Sequence, residues 1–235
     1  MRRIAIYLTD TDQSDLRQHF PDYAVMLEEL LSPHMVAEFQ HFNVVEGNFP
    51  EDPTSFDGVV ISGSAAFVGD RDPWIATLFD HIRQLDQAGT KLLGVCFGHQ
   101  AIAAALGGRV ERRRISLGAT PMQLSAKRPW MQPEHDLLRL YAGNFEQIVA
   151  LPVGLDPLGG HPDCLIAMIE KGTHILGLQF HPEFPTDYVI GYIEELRGHV
   201  PEEKIEAALS EVAGGHDGAI FGQWAARFLE TQSVS

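Results

Sequence analysis

The stretch from residue 72 to residue 108 constrains the fold more than any other part of the chain. It opens with an amphipathic helical pattern, continues with a short apolar run at 91–95, and ends in a second, alanine-rich helical pattern after a glycine-rich turn. Asp72 suits the N-cap of the first helix, Pro73 its first turn, and Gly89 its C-terminal end. A helix followed at once by a buried strand and another helix is the repeating unit of a parallel sheet covered on both faces.

The remainder of the chain repeats this alternation. Helices of this length between strands require right-handed crossovers, which produce a mostly parallel sheet. Residues 109–180 are richer in strands and loops. We therefore predict a single α/β domain over 1–235, with a doubly wound, mostly parallel sheet, helices on both faces, a small β-rich excursion and a helical C-terminal extension over 186–235. The predicted strands lie at 2–8, 36–44, 56–64, 91–95, 120–125, 147–152, 165–170 and 174–180, and the predicted helices at 22–31, 72–89, 99–108, 186–197, 201–212 and 219–230.

The charge balance excludes several classes of function. The chain has 17 Lys and Arg against 32 Asp and Glu, a formal net charge of −15. Such an acidic surface repels nucleic acids and anionic membranes, so neither is expected as a partner. The one basic run, Arg112-Arg113-Arg114, is expected to be a solvated surface turn.

The cysteines and the N-terminus bear on the compartment. The N-terminal apolar stretch is too short for a signal peptide or a membrane span. The chain has 2 cysteines, and without an export signal they indicate a reducing, cytoplasmic compartment. No Cys/His spacing typical of zinc is present.

Cys96 lies at the sharpest predicted bend, in Gly94-Val95-Cys96-Phe97-Gly98. A strand-to-helix turn of this form is a nucleophile elbow, at the sheet edge where open α/β folds bind ligands. Flanking glycines allow strand and helix to approach closely and the turn to be strained. The helix N-terminus favours a thiolate, and the Phe97 amide is available to an oxyanion. The alternative is a structural cysteine beside packing glycines.

A second motif, His181-Pro182-Glu183, follows the apolar strand pattern that ends at residue 180. Pro182 keeps His181 extended, and residues two apart in an extended chain project to the same side. Glu183 is thus predicted to orient the imidazole, which acts as the base for a nucleophile. A surface turn is the alternative. Other histidines compete for the role, and His99, on the elbow helix, is expected to pack instead; the others are His19, His34, His41, His161 and His174.

These motifs together resemble the class I, or triad, glutamine amidotransferase family. The likeness is strongest to the amidotransferase domain of GMP synthase and its stand-alone relatives, including the γ-glutamyl peptidases. It covers residues 1–185 and implies a flavodoxin-like fold. It rests on VVISGSAAFVGDRDPWI at 59–75, GVCFGHQ at 94–100 and GLQFHPEF at 177–184.

The resemblance implies a chemistry. Cys96 would attack the side-chain amide of glutamine, or a γ-glutamyl amide, to form a glutamyl thioester that water hydrolyses. His181 would pass a proton to the leaving amine, and Glu183 would orient His181.

The resemblance also implies the groups that bind the substrate. The Phe97 amide and an amide of the 62–64 loop, most simply that of Gly63, would hold the oxyanion, and Ser64 belongs to the same part of the site. Gln100 would help hold the glutamyl group. No cofactor or metal is implied.

The chain departs from the family pattern in two places. Asn144-Phe145-Glu146 stands where the family commonly has H-x-D, in a loop expected to shape the glutamine pocket or its partner contacts. S-G-S at 62–64 replaces the more usual G-G-P, which leans toward the γ-glutamyl peptidases.

Three functions stay open. The chain has no ATP-binding synthetase motif, so an amidotransferase of this kind would need a separate synthase or acceptor protein. The second reading is a stand-alone hydrolase of γ-glutamyl peptides or amines, and the third a non-catalytic binding protein with the same fold.

Overall fold

The structure, a computed structural model, describes residues 1–231. The end of the predicted C-terminal extension, 232–235, lies outside the described residues. The strands are β1 (Arg2–Leu8), β2 (Ala37–Asn43), β3 (Gly58–Ile61), β4 (Lys91–Val95), β5 (Arg109–Leu124), β6 (Leu137–Ala150), β7 (Asp156–His161), β8 (Cys164–Lys171) and β9 (Ile175–Leu178). The helices are α1 (Tyr23–Leu31), α2 (Pro73–Ala88), α3 (Phe97–Ala105), α4 (Thr186–Glu195), α5 (Glu202–Val212) and α6 (Gly218–Glu230).

All these strands belong to a nine-stranded sheet in the order β2-β1-β3-β4-β9-β8-β7-β5-β6. From β2 to β9 every neighbouring pair is parallel, and from β9 to β6 every pair is antiparallel. The predicted fold class, a mostly parallel sheet with a β-rich excursion, is confirmed.

Alternating residues of β1 show why both faces need covering. Ile4 and Ile6 enter one hydrophobic core with helices α1 and α6. Ala5 and Tyr7 enter another with α2 and α3. A strand buried on both sides has few polar residues, which is the pattern that predicted the parallel sheet.

Helix α2 begins and ends at the predicted residues. Gly89 closes it in a left-handed conformation, with φ 67°. Asp72 occupies the N-cap position, but its side chain makes no hydrogen bond to the helix amides. Pro73 at the first turn therefore marks the start of this helix more than the carboxylate does.

The excursion differs from the prediction in length. Strands β5 and β6 are long and pair with each other over most of their length, whereas only short segments of them were predicted, and β7 was not predicted. The register shift between Arg112 and Ser116 breaks the alternation that reveals a strand. Residues 112–114 are exposed, as expected, but lie in β5 and not in a turn.

The C-terminal helices tie the two parts of the sheet together. Helices α4 and α5 pack against β5 in a third core. Helix α6 packs against α1 and β4, and Asp217, just before it, is bound to β6. The Asp217 amide donates to the Arg139 carbonyl, and the Arg139 amide donates to the Asp217 carboxylate, both at 2.7 Å.

Within residues 1–231, no helix has the length and apolar character that crossing a bilayer requires.

The turn between β4 and α3 depends on two glycines. A Cβ at Gly94 would lie 2.5 Å from the Gly98 carbonyl carbon, and a Cβ at Gly98 would lie 2.4 Å from the Ile61 carbonyl oxygen. Backbone cannot yield as a flexible side chain can, so any larger residue forces strand and helix apart.

We expect Gly98→Ala to destabilise the fold by about 1–3 kcal/mol, because the added methyl overlaps the β3 backbone. Gly214→Ala is the matched control, since its Cβ would meet only ordinary contacts, the nearest at 3.4 Å. Urea unfolding of both variants measures the difference. Equal stability of the two variants would contradict this account of the turn.

Candidate active site

Cys96 holds a strained backbone at the carboxyl end of β4. Its φ is 52° and its ψ −103°, and it is the one non-glycine residue with positive φ in the described part of the chain. Its amide donates to the Leu178 carbonyl at 2.8 Å. A left-handed φ is costly for a residue with a Cβ and persists only where the surroundings fix it. The structure thus gives the predicted elbow its predicted shape.

His181 is fixed by three contacts. Its amide donates to the Tyr141 carbonyl of β6 at 2.8 Å. Its Nδ1 lies 2.7 Å from Oε1 of Glu183, and its ring stacks on Phe184 with centroids 4.0 Å apart. Both members of the His181–Glu183 pair are buried, so the imidazole has one defined orientation.

The thiol and the imidazole meet at Gly63. A Cβ at Gly63 would lie 3.0 Å from Cε1 of His181 and 3.6 Å from Cβ of Cys96. Gln179 also reaches this point, with Nε2 3.5 Å from the Cys96 sulfur. Residues distant in the sequence are therefore brought together at one edge of the sheet, as the motifs predicted.

The pKa of His181 is raised by its surroundings. Burial alone disfavours the imidazolium, but the negative charges of Glu183 and of the Cys96 thiolate, with their hydrogen bonds, outweigh it. The site therefore favours a charged imidazolium beside Cys96. His99 differs: burial lowers its pKa to about 4, and its Nε2 lies 3.1 Å from the Ile166 carbonyl, which suits the packing role expected of it.

Thr9, the residue after β1, holds the 62–64 loop by hydrogen bonds. Its Oγ1 donates to the Gly63 carbonyl at 2.9 Å, and its amide donates to Oγ of Ser62 at 2.9 Å. Because the carbonyl and the following N–H of a trans peptide point in opposite directions, this anchor turns the Ser64 amide away from Thr9. The Phe97 amide, at the first position of α3, has no intrahelical acceptor.

Gln100 shares one hydrogen-bond network with Asn144 and Glu146, the residues that stand where the family commonly has H-x-D. Nε2 of Gln100 donates to the Glu146 carbonyl at 2.9 Å and to Oε1 of Gln179 at 3.0 Å. Asn144 donates to the same Glu146 carbonyl at 3.0 Å, while its buried Oδ1 has no partner among the described residues. Residues 144–146 lie within β6, whereas a loop was expected there.

A cavity of about 280 Å³ opens at the Cys96 sulfur. Cys96, His181, Ser64 and Gln100, all predicted site residues, line it. Gly63 and Phe97 do not line the cavity themselves, but each is next in sequence to a lining residue, Ser64 and Cys96. Glu183 contacts the imidazole of His181 and does not line the cavity. The other lining residues are Asp12, Tyr23, Ala65, Ala66, Arg112, Tyr141, Ala142, Gly143, Asn144, Phe145, Glu146, Phe184, Tyr188, Val189 and Tyr192.

Sequence reasoning missed part of this cavity. Helix α4 contributes Tyr188, Val189 and Tyr192, and the segment after β1 contributes Asp12. Gln179 was also missed, although it lies two residues before His181 in an extended segment and so shares its side of the chain. The residues of α4 carried no comparable signal.

The comparisons agree with the geometry. The model of the glutamine amidotransferase class-I family matches residues 26–187. γ-Glutamyl peptidase 4 of Arabidopsis thaliana is 28% identical over 218 residues, covering 88% of this chain and 86% of its own length. A GMP synthase of Cupriavidus pinatubonensis is 30% identical over 140 residues, covering 54% of this chain but 24% of its own length.

Among solved structures, a glutamine amidotransferase of Thermotoga maritima has a TM-score of 0.77 at 18% identity, covering 98% of this chain and 99% of its own. This likeness bears on the fold. The family match extends over more than half of the sequence, so the chain belongs to the class-I glutamine amidotransferase family, a family of enzymes.

We expect Glu183→Gln to lower the pKa of His181, because the substitution removes the carboxylate charge that stabilises the imidazolium. An NMR pH titration of the His181 ring measures this. Glu146→Gln is the control, because it removes a carboxylate from the cavity lining that does not contact the imidazole. It should leave the pKa of His181 unchanged. Identical titrations in the wild type and Glu183→Gln would contradict the assignment.

Proposed function

We propose that the protein is a stand-alone hydrolase of γ-glutamyl amide bonds, with Cys96 as nucleophile, His181 as proton shuttle and Glu183 as the residue that orients His181. The supporting geometry is the strained elbow beside the buried His181–Glu183 pair. The side chains of α4 that line the cavity favour hydrolysis over delivery of ammonia to another protein.

The reaction begins when the Cys96 sulfur adds to the γ-carbonyl carbon. A C–S bond forms, the C–N bond breaks, and the imidazolium of His181 gives its proton to the leaving nitrogen, which departs as the neutral amine. His181, now neutral, takes a proton from water, whose oxygen adds to the thioester. The C–S bond then breaks, releasing glutamate and restoring the thiolate and the imidazolium.

The negative oxygen formed in each addition needs donors that are already in place. The amides of Phe97 and of Gly63 or Ser64 serve this role, since the Thr9 anchor and the α3 N-terminus fix them before substrate arrives. Gln100, held by Glu146 and Gln179, lines the cavity where the glutamyl group would lie.

The observation that favours a stand-alone hydrolase is the position of α4. A subunit that passes ammonia to a synthase needs its cavity mouth free for the partner, whereas here Tyr188, Val189 and Tyr192 of the same chain line the cavity. None of the most exposed large apolar side chains in residues 1–231 lines it either; these are Met1, Val36, Leu137, Val153, Leu165 and Ile190. These side chains therefore do not form the apolar patch at the cavity lining that a synthase contact would favour.

The second candidate is an amidotransferase that acts on glutamine with a separate synthase. The similarity to GMP synthases favours it. It predicts glutaminase activity that rises when the acceptor protein binds, and its substrate is free glutamine.

We expect an electrophilic glutamine analogue to label the wild type once, at Cys96, and γ-glutamyl dipeptides to protect the thiol better than free glutamine. Cys96→Ala should lose labelling and at least about a thousandfold of the hydrolysis rate. Intact-protein mass spectrometry and γ-glutamyl amide turnover measure both.

Cys164→Ala is the matched control for this experiment. Cys164 is buried in the core, and burial raises the pKa of its thiol to about 12, so this thiol is unreactive. Its loss should leave labelling intact. Labelling that moves to Cys164, or better protection by glutamine, would overturn the proposed function.

A further inference from the structure

The cavity has two chemically different ends. At one end Gln100, Asn144 and Glu146 form the network described above, and Arg112 lies beside it with Nε 3.8 Å from a Glu146 carboxylate oxygen. This end offers both a positive and a negative charge, as well as the unpartnered Oδ1 of Asn144. A glutamyl group carries one carboxylate and one ammonium, so this end matches its charges.

The other end is the side of His181. The leaving nitrogen must receive its proton from this imidazole, so the substituent on that nitrogen extends past His181 and Phe184. The wall there is aromatic. Tyr23 and Tyr188 both pack on Phe184, with ring centroids 5.0 and 4.6 Å away, and their hydroxyls share a 2.6 Å hydrogen bond.

Asp12 places a negative charge at this aromatic end. Its carboxylate accepts hydrogen bonds from the Ser14 amide, at 2.8 Å, and the Ser14 hydroxyl, at 3.1 Å. No Lys or Arg pairs with it in the described chain, whereas its neighbour Asp10 is paired with Arg17 at 2.6 Å. Of Asp10 and Asp12, the one that lines the cavity is thus the one left without a cation.

The negative charge of Asp12 also acts on the hydroxyl groups of Tyr23 and Tyr188. Burial is the first cause that raises the pKa of Tyr23, and the charges of Asp10 and Asp12 raise it further. Burial raises the pKa of Tyr188 to about 12, and the charges of Asp12 and Asp10 add to this, against the Tyr23 hydrogen bond and the positive charge of Arg17. The two phenols and the Asp12 carboxylate therefore lie close enough to act on one another.

We propose that the leaving group is an amine that carries a second, positively charged nitrogen, so that the substrate class is the γ-glutamyl amides of diamines or polyamines. A cation gains from an unpaired carboxylate and from the aromatic wall of Phe184 and Tyr188 together. The Tyr23 ring already carries the Arg17 guanidinium, 5.1 Å from its centroid. An anionic leaving group meets repulsion from Asp12 at the same place. This inference rests on the proposed function, the hydrolysis of γ-glutamyl amides.

The test uses three substrates that differ only at the far end of the leaving group. The γ-glutamyl amide of 1,4-diaminobutane carries an ammonium there, the pentylamine amide an isosteric methyl, and the 4-aminobutyrate amide a carboxylate. We expect kcat/KM to be highest for the ammonium, lowest for the carboxylate, and about tenfold higher for ammonium than for methyl. The preference should fall as salt is added, because the Asp12 loop is partly exposed.

Asp12→Asn tests the residue. Asparagine keeps the Oδ1 acceptor for the Ser14 amide and removes the charge, so the ammonium-to-methyl ratio of kcat/KM should drop about tenfold, to near one. Asp15→Asn is the matched control, since it removes the same charge from the same loop at an exposed residue outside the cavity. It should leave the ratio unchanged.

The outcomes separate this inference from the proposed function. If neither the three amides nor γ-glutamyl dipeptides are hydrolysed, the proposed function fails. If only the dipeptides are hydrolysed, the hydrolase stands and the cationic leaving group is overturned. If all three are hydrolysed but the methyl or carboxylate substrate is preferred, or if the two variants change the ratio alike, the hydrolase stands and the cationic leaving group is overturned.

Discussion

The contact between Gly98 and the Ile61 carbonyl governs the arrangement of the whole site. It brings the first turn of α3 onto the end of β3, and the Gly98 amide donates to the Ser62 carbonyl at 3.1 Å. The strained turn of Cys96 and the 62–64 loop are therefore fixed against each other. Groups that must stabilise a developing charge work best when they need no rearrangement, and this contact supplies that order before any substrate binds.

His181 connects the parallel and antiparallel parts of the sheet. It follows β9, the last parallel strand, yet its amide bonds to Tyr141 of β6 at the far edge of the sheet. The β-rich excursion thus curves back over the elbow, and β6 brings Asn144 and Glu146 to the cavity. Helix α4 follows directly and closes the remaining side with aromatic residues.

The sequence indicated the local parts of the candidate site. Cys96 is recognisable from glycines two residues away on each side, and His181 with Glu183 from an extended chain that ends a buried strand. The aromatic end was not predictable in this way. Tyr23, Tyr188 and Asp12 meet only through the packing of α1 and α4, and contacts between distant segments leave no periodic trace. The lengths of β5 and β6 were missed for a related reason, since a bulge interrupts their alternation.

The bond pair between Asp217 and Arg139 has a mechanical consequence. Helix α6 packs on the parallel strands, and Asp217, just before it, is hydrogen-bonded to β6. The helix therefore links the two parts of the sheet. A hinge motion between the two parts would require breaking these two hydrogen bonds and exposing the side chain of Trp224, a fully buried residue of α6. The two parts of the sheet therefore stay in one arrangement while substrate enters and product leaves the cavity.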